Sequence, residues 1–128
     1  MGRRLIFTEE HHRRPRSVGG TNTPSNISYV PSKKHKFYHT IFGDLNIYQI
    51  ADKINAYFRP PIGFLVSVKF INGDEVKKEG IGHDSKNLNK LIPAWNGLFG
   101  KDTPLEECIA ELNSRWIDPS YHLYIKRF

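Results

Sequence analysis

Apolar residues recur along the chain with two periods, and each change of period marks an element. Leu5-Ile6-Phe7 leads into an acidic and histidine-rich stretch and reads as a short strand. Ile27-Ser28-Tyr29-Val30 alternates and is rich in β-formers, so it reads as a second strand closing a hairpin. Residues 13–26 between them are dense in turn formers, with Gly19-Gly20 suited to positive φ and Pro15 and Pro24 limiting the loop. A helix over about 33–41 follows, with Ser32 as candidate N-cap and Gly43 as its stop.

Beyond Gly43 the helical period returns. Ile47, Ile50, Ala51, Ile54 and Phe58 define a helix over 46–58, stopped by Arg59-Pro60-Pro61. Phe64 to Ile71 reads as a strand, Asn72-Gly73 as a two-residue turn, and Glu75 to Lys78 as the return strand of a hairpin. Ser85 to Phe99 is helical in pattern, with Pro93 kinking it or splitting it in two. A last helix covers about Thr103 to Trp116, with Pro104 at its first position, and Tyr121 to Ile125 forms a final strand.

This pattern contains a degenerate repeat. Residues 38–61, with Tyr38, Phe42-Gly43, Ile50, Asn55, Phe58 and Pro61, align with residues 95–119, with Trp95, Phe99-Gly100, Ile109, Asn113, Trp116 and Pro119. Two copies are too few for a solenoid, which needs at least three, and point to a duplicated helix pair around one core. Ile92 and Asn96 stand where the first copy has His35 and His39, so both copies supply packing and the first alone supplies chemistry. The expectation is one α+β domain over residues 1–128: a ββα unit at 5–42 integrated with a helix and hairpin remainder at 43–128.

Length and composition agree. A chain of 128 residues buries roughly 65–70% of its unfolded surface and needs no covalent staple. No apolar run approaches the ~20 residues of a membrane span, and the apolar stretch near the start is too short for a secretory signal, so the expected compartment is the cytoplasm and no membrane partner is expected. A single cysteine, Cys108, excludes an internal disulfide and Cys-rich zinc sites, so a metal here must be held by His, Asp or Glu. Cys108 falls on the apolar side of its helix and is expected to be buried.

Charge is unevenly placed. The chain carries a net +6, and residues 1–40 hold the whole excess: Arg3, Arg4, Arg13, Arg14, Arg16, Lys33, Lys34 and Lys36 against Glu9 and Glu10. Such a concentration draws a polyanion, of which nucleic acid is the commonest. The same segment holds His11, His12, His35 and His39; His83 and His122 lie outside it and read as structural or solvent-facing. His35 and His39 are four apart and share one helix face, while adjacent His11 and His12 point to opposite sides of a strand. Three imidazoles from strand and helix leave open positions on a metal, where a phosphate oxygen can bind. The remaining histidine suits a general base, since imidazole titrates near neutrality.

These residues resemble the HNH endonuclease motif, a ββα-metal finger. His11-His12, Pro15, Ser17, Gly19-Gly20, Asn26 fourteen residues after His12, His35 nine later and His39 four beyond that follow the motif in order. The resemblance covers about residues 5–42, and without cysteines it comes closest to the colicin-type nucleases. It implies His12 as general base, and His11, His35 and His39 as ligands of one divalent metal ion, with Mg, Mn, Ni, Co and Zn all candidates. It further implies Asn26 as a brace of the loop, Glu9 as a supporting acid with Glu10 competing, and Arg13, Arg14 and Arg16 as phosphate contacts. Lys33, Lys34 and Lys36 join these as nucleic-acid contacts on charge alone.

The expected activity is metal-dependent hydrolysis of DNA, with RNA as the alternative polymer. Two other readings compete. One is a non-catalytic nucleic-acid-binding module using the same finger. The other is a protein-interaction factor, or a homodimer, using the repeat; an exposed apolar patch over Phe42, Phe58, Phe99 and Trp116 would favour it.

Overall fold

In the computed structural model, residues 7–58, 60–74, 76 and 88–127 are described. The chain is α+β. Strand β1 (Thr8–His12) pairs antiparallel with β2 (Ile27–Pro31), His11 opposite Ser28 and His12 opposite Ile27. The strand is thus built from the acidic and histidine stretch itself; Leu5 and Ile6 lie outside the described residues, and Phe7 precedes the strand. Helix α1 (Ser32–Ile41) follows at once, completing a strand-strand-helix unit. Ser32 is its first helical residue and not its N-cap. Pro31 takes the cap position without a side-chain acceptor, and the Ser32 hydroxyl and amide donate to the Phe7 carbonyl at 3.2 and 2.9 Å.

Helix α2 (Ile47–Tyr57) starts with a full capping box, in which the Asn46 and Gln49 side chains each accept from the other's backbone N–H. Strand β3 (Phe64–Phe70) comes next. Asn72-Gly73 turns as expected, with Gly73 at φ +98°, and the Val76 amide donates to Val68. Yet Val76 is not in a strand, and Glu75, Lys77 and Lys78 lie outside the described residues. β3 pairs antiparallel with the C-terminal strand β4 (Tyr121–Arg127), with Ser67 opposite Tyr124 at the centre.

Helix α3 (Leu91–Phe99) follows a 3-10 turn at Leu88–Lys90; of the expected helix, residues 85–87 are outside the described set. Pro93 neither kinks nor splits it. It is the third helical residue, where a backbone N–H has no helical acceptor to lose. Helix α4 (Leu105–Arg115) is one residue shorter at its start than expected from Pro104, which sits at the N-cap.

The repeat is visible as geometry. α1, α2 and β3 correspond to α3, α4 and β4, and α1 packs on α3. The Asn55 side chain brackets Val66, accepting from its N–H at 2.8 Å and donating to its carbonyl at 2.9 Å. Asn113 makes the same two bonds to Leu123, at 2.8 and 2.9 Å. The stacked rings of Tyr38 and Trp116 (4.9 Å) have their counterpart in Trp95 and Phe58 (4.0 Å). Each unit therefore lends an aromatic to the other across one shared core, which takes in Ile41, Phe42, Ile54, Leu98, Leu112, Trp116 and Ile117. Of the apolar patch that would mark an interaction factor, Phe42 and Trp116 are fully buried, and Phe58 and Phe99 are half-buried against the core. Among the described residues no helix is long and apolar enough to cross a membrane.

Candidate metal centre

Strand alternation sends Glu9 and His11 to the α1 side of the hairpin. His11 is buried there, against Tyr38, Trp116, His35 and His39. Its Nε2 donates to the Trp116 carbonyl at 2.6 Å, which leaves Nδ1 without a proton and 3.3 Å from His35 Nε2. One helical turn on, His39 Nε2 lies 3.0 Å from His35 Nε2. On its other side His35 Nδ1 faces Glu9 Oε2 at 3.4 Å, so the carboxylate favours a proton on Nδ1 and a bare Nε2.

These side chains fit a divalent ion of the nitrogen-binding kind. The three ligand nitrogens lie within 4.8 Å of one another. Imidazole nitrogens about 2.0–2.1 Å from a tetrahedral ion stand roughly 3.3 Å apart, close to the spacing here. Burial above all pushes His11 down to about 4 from its ordinary 6.5, aided by the neighbouring His35 and His39 and opposed by the Trp116 carbonyl, so its imidazole is held in the neutral form that ligates a metal. Burial lowers His39 as well. Glu9 is held below the usual carboxylate range by the Ser32 hydroxyl first and the His35 imidazole second.

The trio opens into a cavity of about 380 Å³ bordered also by His12, Arg16, Ser17, Glu10 and Asp44. His12 Nε2 lies 2.8 Å from Asn22 Oδ1, an oxygen that only accepts, so the proton is on Nε2 and Nδ1 is the basic nitrogen. Asn26 is buried and does not touch the His12 ring. It grips the loop behind it, accepting from the Arg14 N–H at 2.7 Å and donating to the Arg14 and Thr21 carbonyls at 3.1 and 2.8 Å.

The basic residues divide. Arg13 is turned inward, where it donates to the Ile117 and Asn113 carbonyls at 2.7 and 2.8 Å and closes the C-terminal end of α4. That departs from its expected place on phosphate, and the reason is the four carbonyls a helix leaves unpaired at its end. Arg14 donates to the Val18 carbonyl and lies 3.9 Å from Asp118. Arg16, Lys33 and Lys36 are exposed, and Lys34 is half-buried. Glu10 is near Tyr29, 3.5 Å from its hydroxyl, and makes no contact with His35.

Three participants escaped sequence reading. Asn22 is one asparagine in a turn-rich loop, Asp44 follows a helix-ending glycine, and the Trp116 carbonyl is a backbone group distant in sequence; none carries a local signal. Comparison of the chain with family models, with curated proteins and with solved structures yields no significant match.

Proposed function

We propose that the protein is a metal-dependent endonuclease that hydrolyses phosphodiester bonds in DNA, with His12 as general base. One observation carries the reading: three imidazole nitrogens converge at the floor of an open cavity whose rim holds a fourth histidine and an exposed arginine. A purely structural histidine cluster would have no reason to border an open space beside a fourth imidazole.

His11, His35 and His39 would hold one divalent ion, which when bound supplies Lewis-acid stabilisation of the developing charge on a phosphate oxygen. The chain's own groups do the rest. Glu9 aims His35, and the Trp116 carbonyl aims His11, each fixing which nitrogen is bare. Asn22 performs the same service for His12, leaving Nδ1 to take the proton of an attacking water. Asn26 keeps the loop after His12 in one shape, which limits the base to one approach. Arg16 on the rim offers its guanidinium to a substrate phosphate. Recognition through phosphates positions the substrate without reading its sequence, so this site by itself has weak sequence preference.

The test is plasmid nicking by the full chain with Mg, Mn, Ni, Co or Zn, beside His12→Ala. The expected result is nicking with at least one of these ions, slowed by about 10²–10⁴-fold in His12→Ala while metal binding is retained. Folded, metal-loaded protein that nicks with none of them would overturn the proposal in favour of a binding module.

A further inference from the structure

The ribbon formed by β3 and β4 presents an outward face that the histidine cavity does not use. Val66, Val68 and Leu123 point into the core, so Leu65, Ser67 and Lys69 share the opposite face with His122, Tyr124 and Lys126. None of these six side chains is acidic, and two are lysines. The register sets Lys69 opposite His122 and Lys126 opposite Leu65, so the lysines stand on different strands, four residue steps apart along the ribbon. At about 3.4 Å per residue that is roughly 14 Å along the strands.

Internal symmetry passes through the same face. Phe64 maps to Tyr121 and Phe70 to Arg127, which exchanges Lys69 with Lys126 and puts the Ser67–Tyr124 pair on the dyad. Duplex DNA has local dyads of its own, and a protein with twofold symmetry meets them with equivalent contacts on both strands. A major groove about 12 Å wide admits a two-stranded β-ribbon lying along it, which sets β3 and its Lys69 toward one phosphate wall and β4 and its Lys126 toward the other. Unpaired bases are a poorer fit. Tyr124 is the one aromatic among these six side chains, with Lys69 Nζ 5.1 Å from its ring centre, and a single ring gives successive bases little to stack on. The major groove of duplex RNA is too deep and narrow for a ribbon.

From this geometry we infer that the outer face of the β3–β4 ribbon is a contact surface for double-stranded DNA, seated in the major groove with Lys69 and Lys126 on phosphates of the two strands. Ser67 and His122 are the hydrogen-bonding groups available to base edges, so whatever sequence preference the protein has belongs here and not to the histidine cavity. The inference extends the nuclease reading and rests on it for the identity of the polymer.

The experiment measures binding of the full chain, with chelator present to stop cleavage, to a short labelled DNA duplex and to the RNA duplex of the same sequence across a salt series. Lys69→Gln/Lys126→Gln is compared with wild type and with Lys69→Arg/Lys126→Arg, and cobalt binding and thermal melting report the histidine site and the fold. Expected is a log–log salt slope shallower by about 2 and DNA affinity reduced on the order of tenfold per lysine at 0.1 M salt, restored by the arginines. Protection of guanine N7 from methylation, a major-groove readout, is expected in wild type and lost in the glutamine variant. Unchanged DNA affinity and slope in the glutamine variant, or equal binding of the RNA duplex, overturns the ribbon proposal. Nicking by wild type alongside that result leaves the nuclease reading standing. Ribbon-dependent DNA binding without nicking overturns the nuclease reading alone.

Discussion

His11 Nε2 donates to the Trp116 carbonyl at 2.6 Å, joining the fourth residue of β1 to the end of a helix more than a hundred positions away. Trp116 is the C-cap of α4, so its carbonyl is one of those a helix leaves without an internal partner. A single bond thereby satisfies an orphan acceptor, fixes the His11 tautomer and fastens the N-terminal hairpin to the second copy of the repeat.

Because His11 is buried and neutral, the metal-free chain is expected to lose stability in acid. Its pKa is about 4 in the fold against an ordinary 6.5, so between those values the unfolded chain binds the extra proton. Stability therefore rises with pH through this window and is lost as pH falls, by up to about 3 kcal/mol from this group. The lowered His39 acts in the same direction. Urea unfolding with chelator at a series of pH values measures the slope, and His11→Gln, which keeps a donor for Trp116 without titrating, should flatten it. Parallel curves for the two proteins would refute the assignment.

Glu9 and Glu10 are adjacent in sequence, yet only Glu9 faces His35. Glu9→Gln is expected to weaken binding of cobalt or zinc by about 10–100-fold, the usual cost of losing a carboxylate behind a ligating imidazole. Glu10→Gln should leave it unchanged. Equal effects from both substitutions would show a general charge effect instead of orientation.

The loop after His12 depends on close packing of backbone. A Cβ on Gly20 would fall 1.7 Å from the Arg14 carbonyl oxygen, and Gly20 also donates to the Pro15 carbonyl at 2.9 Å. Gly20→Ala must displace backbone, and Asn26→Ala strands the Arg14 amide; each is expected to cost about 1–3 kcal/mol in chemical denaturation. For Asn26→Ala, nicking should fall by more than the loss of folded protein explains. A fully stable Gly20→Ala would mean the loop has another conformation.

The sequence-level expectation for the last third was right about Cys108, which is buried and whose thiol burial pushes up to about 11. Asn72-Gly73 does turn, and β3 also pairs with β4, a partner that no local signal announces, because Leu123 and Ile125 offer the apolar face that completes its core. At Arg13 the residue type suggests phosphate, but its guanidinium is bonded to the unpaired end of α4.

What the sequence determined on its own were the features governed by short-range periodicity and spacing. The alternation of Ile27 to Val30, the turn of helix between His35 and His39, and the matching of 38–61 with 95–119 all depend on residues near one another in the chain. Only the tertiary structure decided which groups orient the histidines. Glu9 rather than Glu10 reaches His35, Asn22 holds His12, and the Trp116 carbonyl holds His11. Hydrogen bonds of this kind form where burial brings distant groups together and leaves a backbone carbonyl no other partner, and no local pattern encodes that meeting.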